Sequence, residues 1–164
     1  MAGEVRNFRD LDVWQAGMDL VLVTYDLSDS LPDRERYGLC AQMRRASVSI
    51  PSNVAEGHAF RISPKGYGRH VRIALGSLAE LETHIELGLR LKFWKPANVR
   101  AIQGLTIRTG QMLHGLLRAL NVRARQAERS ECRTRLTPVR ASRPIVARHS
   151  RRRRGVTAKT SKGR

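Results

Sequence analysis

The sequence predicts an all-α protein, an up-down-up-down antiparallel four-helix bundle followed by a disordered basic C-terminal tail. Three observations carry this. Apolar residues recur at spacings of three and four in four successive segments. Turn and cap signals separate those segments. Aromatic residues are 5% of the 164-residue chain against 41% hydrophobic residues overall, so a core must be built from Leu, Ile, Val, Ala and Met, which favours packed helices over a sheet sandwich.

In the first segment Leu11, Trp14, Met18, Val21 and Tyr25 form one helical stripe, and the run stops near Ser30-Leu31-Pro32. The second places Leu39, Met43, Ala46, Ile50 and Val54 on one face. Pro51 falls inside it without a backbone N–H, so a kink or short break is expected near Ser47. Gly57 and the stretch to Pro64 close that segment. Ser63 followed by Pro64 resembles an N-cap with proline in the first turn. The third stripe is Tyr67, Val71, Ala74, Leu78, Leu81, Ile85 and Leu89, terminated by Lys95-Pro96. The fourth is Val99, Ile102, Leu105, Thr109, Leu113, Leu116 and Leu120, weakened by Gly104, Gly110 and Gly115, each costing roughly 1 kcal/mol against Ala where exposed. Four helices of about 20 residues with short connections pack economically as a bundle about 30 Å long. Surplus small and apolar residues on the third and fourth helices predict a second buried face, the mark of self-association.

Charge divides the chain. Residues 1–122 hold 16 Lys+Arg and 12 Asp+Glu, net +4, whereas residues 123–164 hold 15 and 2, net +13. We therefore read 1–122 as the bundle and 123–164 as an Arg-rich tail without an apolar stripe, disordered in isolation. Such a tail attracts RNA or DNA by releasing condensed counterions, with little sequence selectivity and steep salt dependence.

Other classes are disfavoured. Cys40 and Cys132 form neither a disulfide framework nor a metal-ligand cluster. No apolar run approaches the roughly 20 residues that span a bilayer, and Met1 to Asp10 contain no apolar signal segment. A soluble, cytoplasmic protein without a membrane partner is expected.

Three blocks of sequence resemble a known family. Phe8-Arg9-Asp10-Leu11-Asp12-Val13-Trp14-Gln15 opens the domain. The stretch from Arg44 to Gly57, Arg-Arg-Ala-Ser-Val-Ser-Ile-Pro-Ser-Asn-Val-Ala-Glu-Gly, forms the second segment, and Ala74-Leu75-Gly76-Ser77-Leu78-Ala79-Glu80-Leu81-Glu82 lies in the third. Together they resemble the bacterial 23S rRNA intervening sequence proteins over roughly residues 6 to 122, leaving the basic tail uncovered. The resemblance implies a four-helix bundle assembled as a ring-shaped homopentamer. A related branch, the accessory variability proteins of diversity-generating retroelements, associates with a reverse transcriptase and with nucleic acid through a positively charged surface.

Residues able to carry chemistry are scattered. Arg45, Ser49, Ser52 and Glu56 make a polar stripe with Asn53 beside it. A structural role is favoured, since an Arg-to-Glu pair and short hydroxyls can satisfy backbone groups freed by Pro51. Glu80 and Glu82 on the next helix are possible partners for Arg44 or Arg45, and replacing Glu56 with Gln is expected to lower stability. Glu80 and His84 lie four apart, but the Glu-x-x-His pattern of bundle di-iron sites is absent, and His58, His70, His114 and His149 lack ligand spacing. No metal and no cofactor are expected. Gly66-x-Gly68 lacks a phosphate-loop pattern, and Cys40 has no base at a suggestive spacing. No enzymatic constellation emerges.

The best candidates for phosphate contact are Arg61, Lys65, Arg69 and Arg72 around the entry to the third helix, with Arg151, Arg152, Arg153 and Arg154 in the tail. Few aromatics argue against base stacking. The expectation is a non-enzymatic oligomeric accessory or scaffold protein that binds RNA or DNA through phosphates. The rival is a protein-interaction scaffold, with a retroelement reverse transcriptase as the partner the resemblance suggests.

Overall fold

The structure, a computed structural model, describes residues 7–136, with side chains through residue 132. Four helices follow one another, α1 (Asp12–Asp29), α2 (Leu39–Ala59), α3 (Pro64–Arg90) and α4 (Pro96–Leu136), with single 3-10 turns at Phe8–Asp10 and Asp33–Glu35. No strand occurs among the described residues. α1 packs on α2 and α4, and α3 packs on the same two helices, while the diagonal pairs stay apart. This is an antiparallel bundle of four. The centre is filled by Leu20, Met43, Ile50, Val54, Val71, Leu81, Val99, Ile102 and Leu113, all essentially inaccessible to water.

The stripes expected on α2 and α3 face this core, Leu89 being half-buried, and on α4 Val99, Ile102, Thr109, Leu113 and Leu120 do so, with Leu105 and Leu116 half-buried. α1 is different. Its core side is Val13, Ala16, Gly17, Leu20, Thr24 and Ser28, one residue and so about 100° round the helix from the expected stripe. The small residues on that side let α1 lie close to α2: a Cβ on Gly17 would stand 3.3 Å from Cβ of Pro51. Trp14, Met18 and Val21 are consequently left on the flank, half-buried. No break occurs at Ser47, and α2 is continuous through Pro51. The Ser47 hydroxyl donates to the Arg44 carbonyl (2.9 Å).

Ser63 caps α3, its hydroxyl accepting from the Gly66 N–H (3.2 Å), with Pro64 in the first turn. The far end of α3 closes in a Schellman turn. Lys92 N–H donates to Leu89 O and Phe93 N–H to Gly88 O, both at 3.0 Å, with Lys92 at φ 60° in the place glycine usually takes. This turn folds Trp94 back over Gly88, and the indole N–H donates to Ser30 Oγ at 2.8 Å, tying the end of α1 to the α3–α4 connection.

α4 does not stop where composition changes. It passes Val122 and continues to Leu136, so residues 123–136, read from the sequence as part of a disordered tail, are helical. Arg, Ala, Gln and Glu are strong helix formers even without an apolar stripe. Residues 137–164 lie outside the described part of the chain, including Arg151, Arg152, Arg153 and Arg154.

Candidate functional site

The antiparallel register of α3 and α4 brings the start of one beside the late turns of the other. Lys65 Nζ lies 2.7 Å from Glu128 Oε1, and Arg72 Nη2 donates to Asn121 Oδ1 at 3.4 Å. Between them opens a cleft of about 570 Å3, lined also by Gly68 and Arg125. The hydrogen bond to Glu128 holds the Lys65 ammonium above its ordinary value, and the same bond holds the Glu128 carboxylate below its own. The pair therefore stays charged through the neutral range, its acid partner protonating only below its ordinary value.

Arg61 and Arg69 are exposed on the same end of the bundle, so the four cations named from sequence share one region, though Lys65 is engaged by an acid. Sequence reasoning missed the other half. Arg118, Arg125 and Arg129 recur on α4 at spacings of seven and four, and with Arg123 they are exposed. That spacing is a helical signal, masked by the density of positive charge that begins after Val122. Beside these cations the α2–α3 connection exposes Phe60 (53%) and Ile62 (92%). Phe60 stacks on His70, centroids 5.4 Å apart.

The polar stripe of α2 meets α3 as a ladder. Arg45 Nη2 contacts Glu80 Oε1 at 3.2 Å, and the Ser49 and Ser77 hydroxyls are 2.8 Å apart. Asn53 Nδ2 donates to Ser49 O (2.9 Å) and Ser49 Oγ (3.1 Å), while Asn53 Oδ1 lies 3.3 Å from His70 Nδ1. Glu56 reaches His70 Nδ1 at 3.4 Å and makes no pair with Arg45, because three helical turns, about 16 Å, separate residues 45 and 56. Arg44 instead engages Asp29 and Ser28 on α1. Apart from the Asn53–Ser49 bonds, which lie within α2, these contacts join α2 to a neighbour, which is architecture rather than a reactive constellation. Among the described residues no group of three His, Cys, Asp or Glu side chains is placed to hold a metal. Cys40 is buried and Cys132 exposed. No described helix is long and apolar enough to cross a membrane.

Two grooves flank the bundle. One, about 230 Å3, runs between α1 and α2 along Trp14, Met18, Val21, Val48 and Ala55. The other, about 850 Å3, follows the α3–α4 seam along Leu75, Gly76, Ala79, Ile107 and Gly110, with Glu82, Gln111, His114 and Arg118 also on its walls. Because helices pack in the order α1, α2, α3, α4 and back to α1, these seams lie on opposite sides.

A search of curated proteins returns no match. The family model described as 23S rRNA-intervening sequence protein matches residues 9–115, which takes in α1, α2, α3 and the first half of α4. The chain belongs to the 23S rRNA-intervening sequence protein family.

Proposed function

We propose that this protein is a non-enzymatic, ring-forming accessory or scaffold that binds RNA or DNA through backbone phosphates. The observation that carries the reading is the gathering of Arg61 in the α2–α3 connection and Lys65, Arg69 and Arg72 at the start of α3 with Arg118, Arg125 and Arg129 on one face of the late turns of α4, all exposed. Arginine suits phosphate because its planar fork donates twice to one anion. The tail residues Arg151 to Arg154 follow α4 in the chain and add to the same charge.

Unlike grooves on opposite sides favour head-to-tail assembly, in which one face of a copy meets a different face of the next and the rotation closes a ring. The family resemblance supplies the number five. A homopentamer would present five basic arms on one polyanion, and linkage raises avidity by about 100-fold to 10,000-fold where geometry allows simultaneous contact.

The test is light scattering after size exclusion on the full chain, on a chain ending at Leu136 and on Val48→Asp, with and without a generic RNA hairpin at two salt concentrations. Expected are pentamers for the first two, an RNA shift at low salt that is larger for the full chain, and dissociation by Val48→Asp with helical content retained. A wild-type chain that ignores RNA at low salt refutes the nucleic-acid reading. A Val48→Asp variant that stays assembled refutes the groove as an interface. The exposed Phe60 and Ile62 favour a second reading, a protein partner docking beside the cations, with a reverse transcriptase as the candidate from the resemblance; its signature is association that survives high salt.

A further inference from the structure

Lys65, Arg72 and Arg125 surround a cleft whose remaining charged group is the Glu128 carboxylate. One carboxylate oxygen lies 2.7 Å from the Lys65 ammonium, and Arg125 lies near enough to favour its ionised form. Carboxylate and phosphate oxygens are alike as acceptors of charge-assisted hydrogen bonds. An acid drawn among three cations therefore stands where an incoming phosphate would stand. We infer that the α3–α4 cleft seats one backbone phosphate of RNA or DNA, and that Glu128 is an internal anion which the phosphate displaces from Lys65.

Three features support the exchange. The Lys65 and Glu128 side chains are 73% and 56% exposed, so water screens their pair and separating them costs little. The cleft is roomy, since Gly68 and Ala124 leave its walls low. A phosphodiester entering it meets Lys65, Arg72 and Arg125 together, whereas Glu128 holds only Lys65 by a direct contact. Arg72 is already steadied by its hydrogen bond to Asn121. The α4 wall, Asn121 to Glu128, lies beyond residue 115, where the family match ends. The inference rests on the nucleic-acid reading and deepens it by naming a seat and its competitor.

Fluorescence anisotropy of a labelled RNA hairpin, titrated with the full chain over a salt series, tests it. Glu128→Gln frees Lys65 and is expected to tighten binding roughly two- to five-fold, the range of an exposed ion pair, and to steepen the log–log salt slope by about 0.7 to 0.9, one more counterion released net because no displaced carboxylate takes one up. Arg72→Gln combined with Arg125→Gln weakens binding and flattens the slope, while Arg34→Gln, in the Asp33–Glu35 turn at the opposite end, does neither. Should the hairpin bind wild type while Glu128→Gln and the double variant match it, or should Arg34→Gln weaken binding as much as the double variant, the seat is refuted and the general reading stands. Inorganic pyrophosphate, titrated calorimetrically, separates the two ideas. If no variant binds the hairpin, the nucleic-acid reading falls; tighter pyrophosphate binding by Glu128→Gln then keeps the cleft as a seat for free phosphate, and no pyrophosphate response refutes it.

Discussion

The same substitution at two glycines is expected to move stability in opposite directions. Replacing an exposed helical glycine by alanine stabilises by roughly 0.5–1 kcal/mol, because the backbone loses less freedom on folding. Gly104 on α4 has no atom within 4 Å of the place a methyl would occupy, so Gly104→Ala should show that gain in full. Gly88 on α3 has the same intrinsic preference, but a methyl there falls inside the Trp94 ring, with Cε3 at 2.6 Å and Cη2 at 2.9 Å. Trp94 is 7% exposed and its N–H holds Ser30. It must move outward, at roughly 1–3 kcal/mol for overpacking and about 0.5–1.5 kcal/mol for the lost hydrogen bond. Set against the propensity gain, Gly88→Ala is destabilising by about 0.5–4 kcal/mol, with the middle of the range at roughly 2. At roughly 2–8 °C per kcal/mol, thermal melts at one fixed protein concentration should show Gly104→Ala rising by a few degrees and Gly88→Ala falling by more. Tryptophan emission should shift to the red only in the second. Melts that move the same way, or unchanged emission in Gly88→Ala, would refute the claim that the Schellman turn seats the indole on Gly88.

Two further outcomes follow from the ladder and from the buried phenol. Asn53→Ala removes two donated bonds and the His70 contact from a buried position and should cost about 1–3 kcal/mol in urea melts; Glu56→Gln, altering a side chain 63% exposed, should change stability by less than about 0.5 kcal/mol, and equal costs would sink the ladder. Burial pushes the Tyr67 phenol up to about 12 from 10.0, so between those values the unfolded chain ionises first and stability falls as pH rises. Its hydroxyl has no hydrogen-bond partner among the described residues, so Tyr67→Phe should abolish that alkaline slope and raise neutral stability by about 1 kcal/mol; a loss of stability at pH 7 would show that the hydroxyl is paired.

Much of the bundle was legible because burial imposes a period. On α2, α3 and α4 one apolar stripe dominates, and it is the stripe that packs. α1 carries apolar residues on two adjacent faces, and the larger set, Trp14, Met18 and Val21, lost the core to Ala16, Gly17 and Thr24. Size misled: close packing against Pro51 rewards small side chains on α1, and nothing local announces that contact. The polar ladder was half legible. Sequence spacing places Arg45 and Glu56 on one helix face and offers Glu80 as a partner for Arg45, a pair the structure contains, but only the α2–α3 register brings His70 to Glu56. The end of α4 was hidden for another reason. Absence of an apolar stripe says that a segment buries no face, which is a different statement from its not being helical.

That distinction changes where the charge acts. Charges scattered on an unstructured segment meet a polyanion at no fixed spacing, whereas Arg118, Arg125 and Arg129 are held on one helix, and Lys65 and Arg72 face Arg125 across a fixed cleft. A rigid array lowers the ordering cost of each phosphate contact, so the helices should account for most of the counterion release. The salt slope separates the two: if counterions are released mainly at the helices, the chain ending at Leu136 keeps most of the full chain's slope. If the slope collapses with the loss of Arg151 to Arg154, the array on α3 and α4 is only a platform from which the basic segment departs.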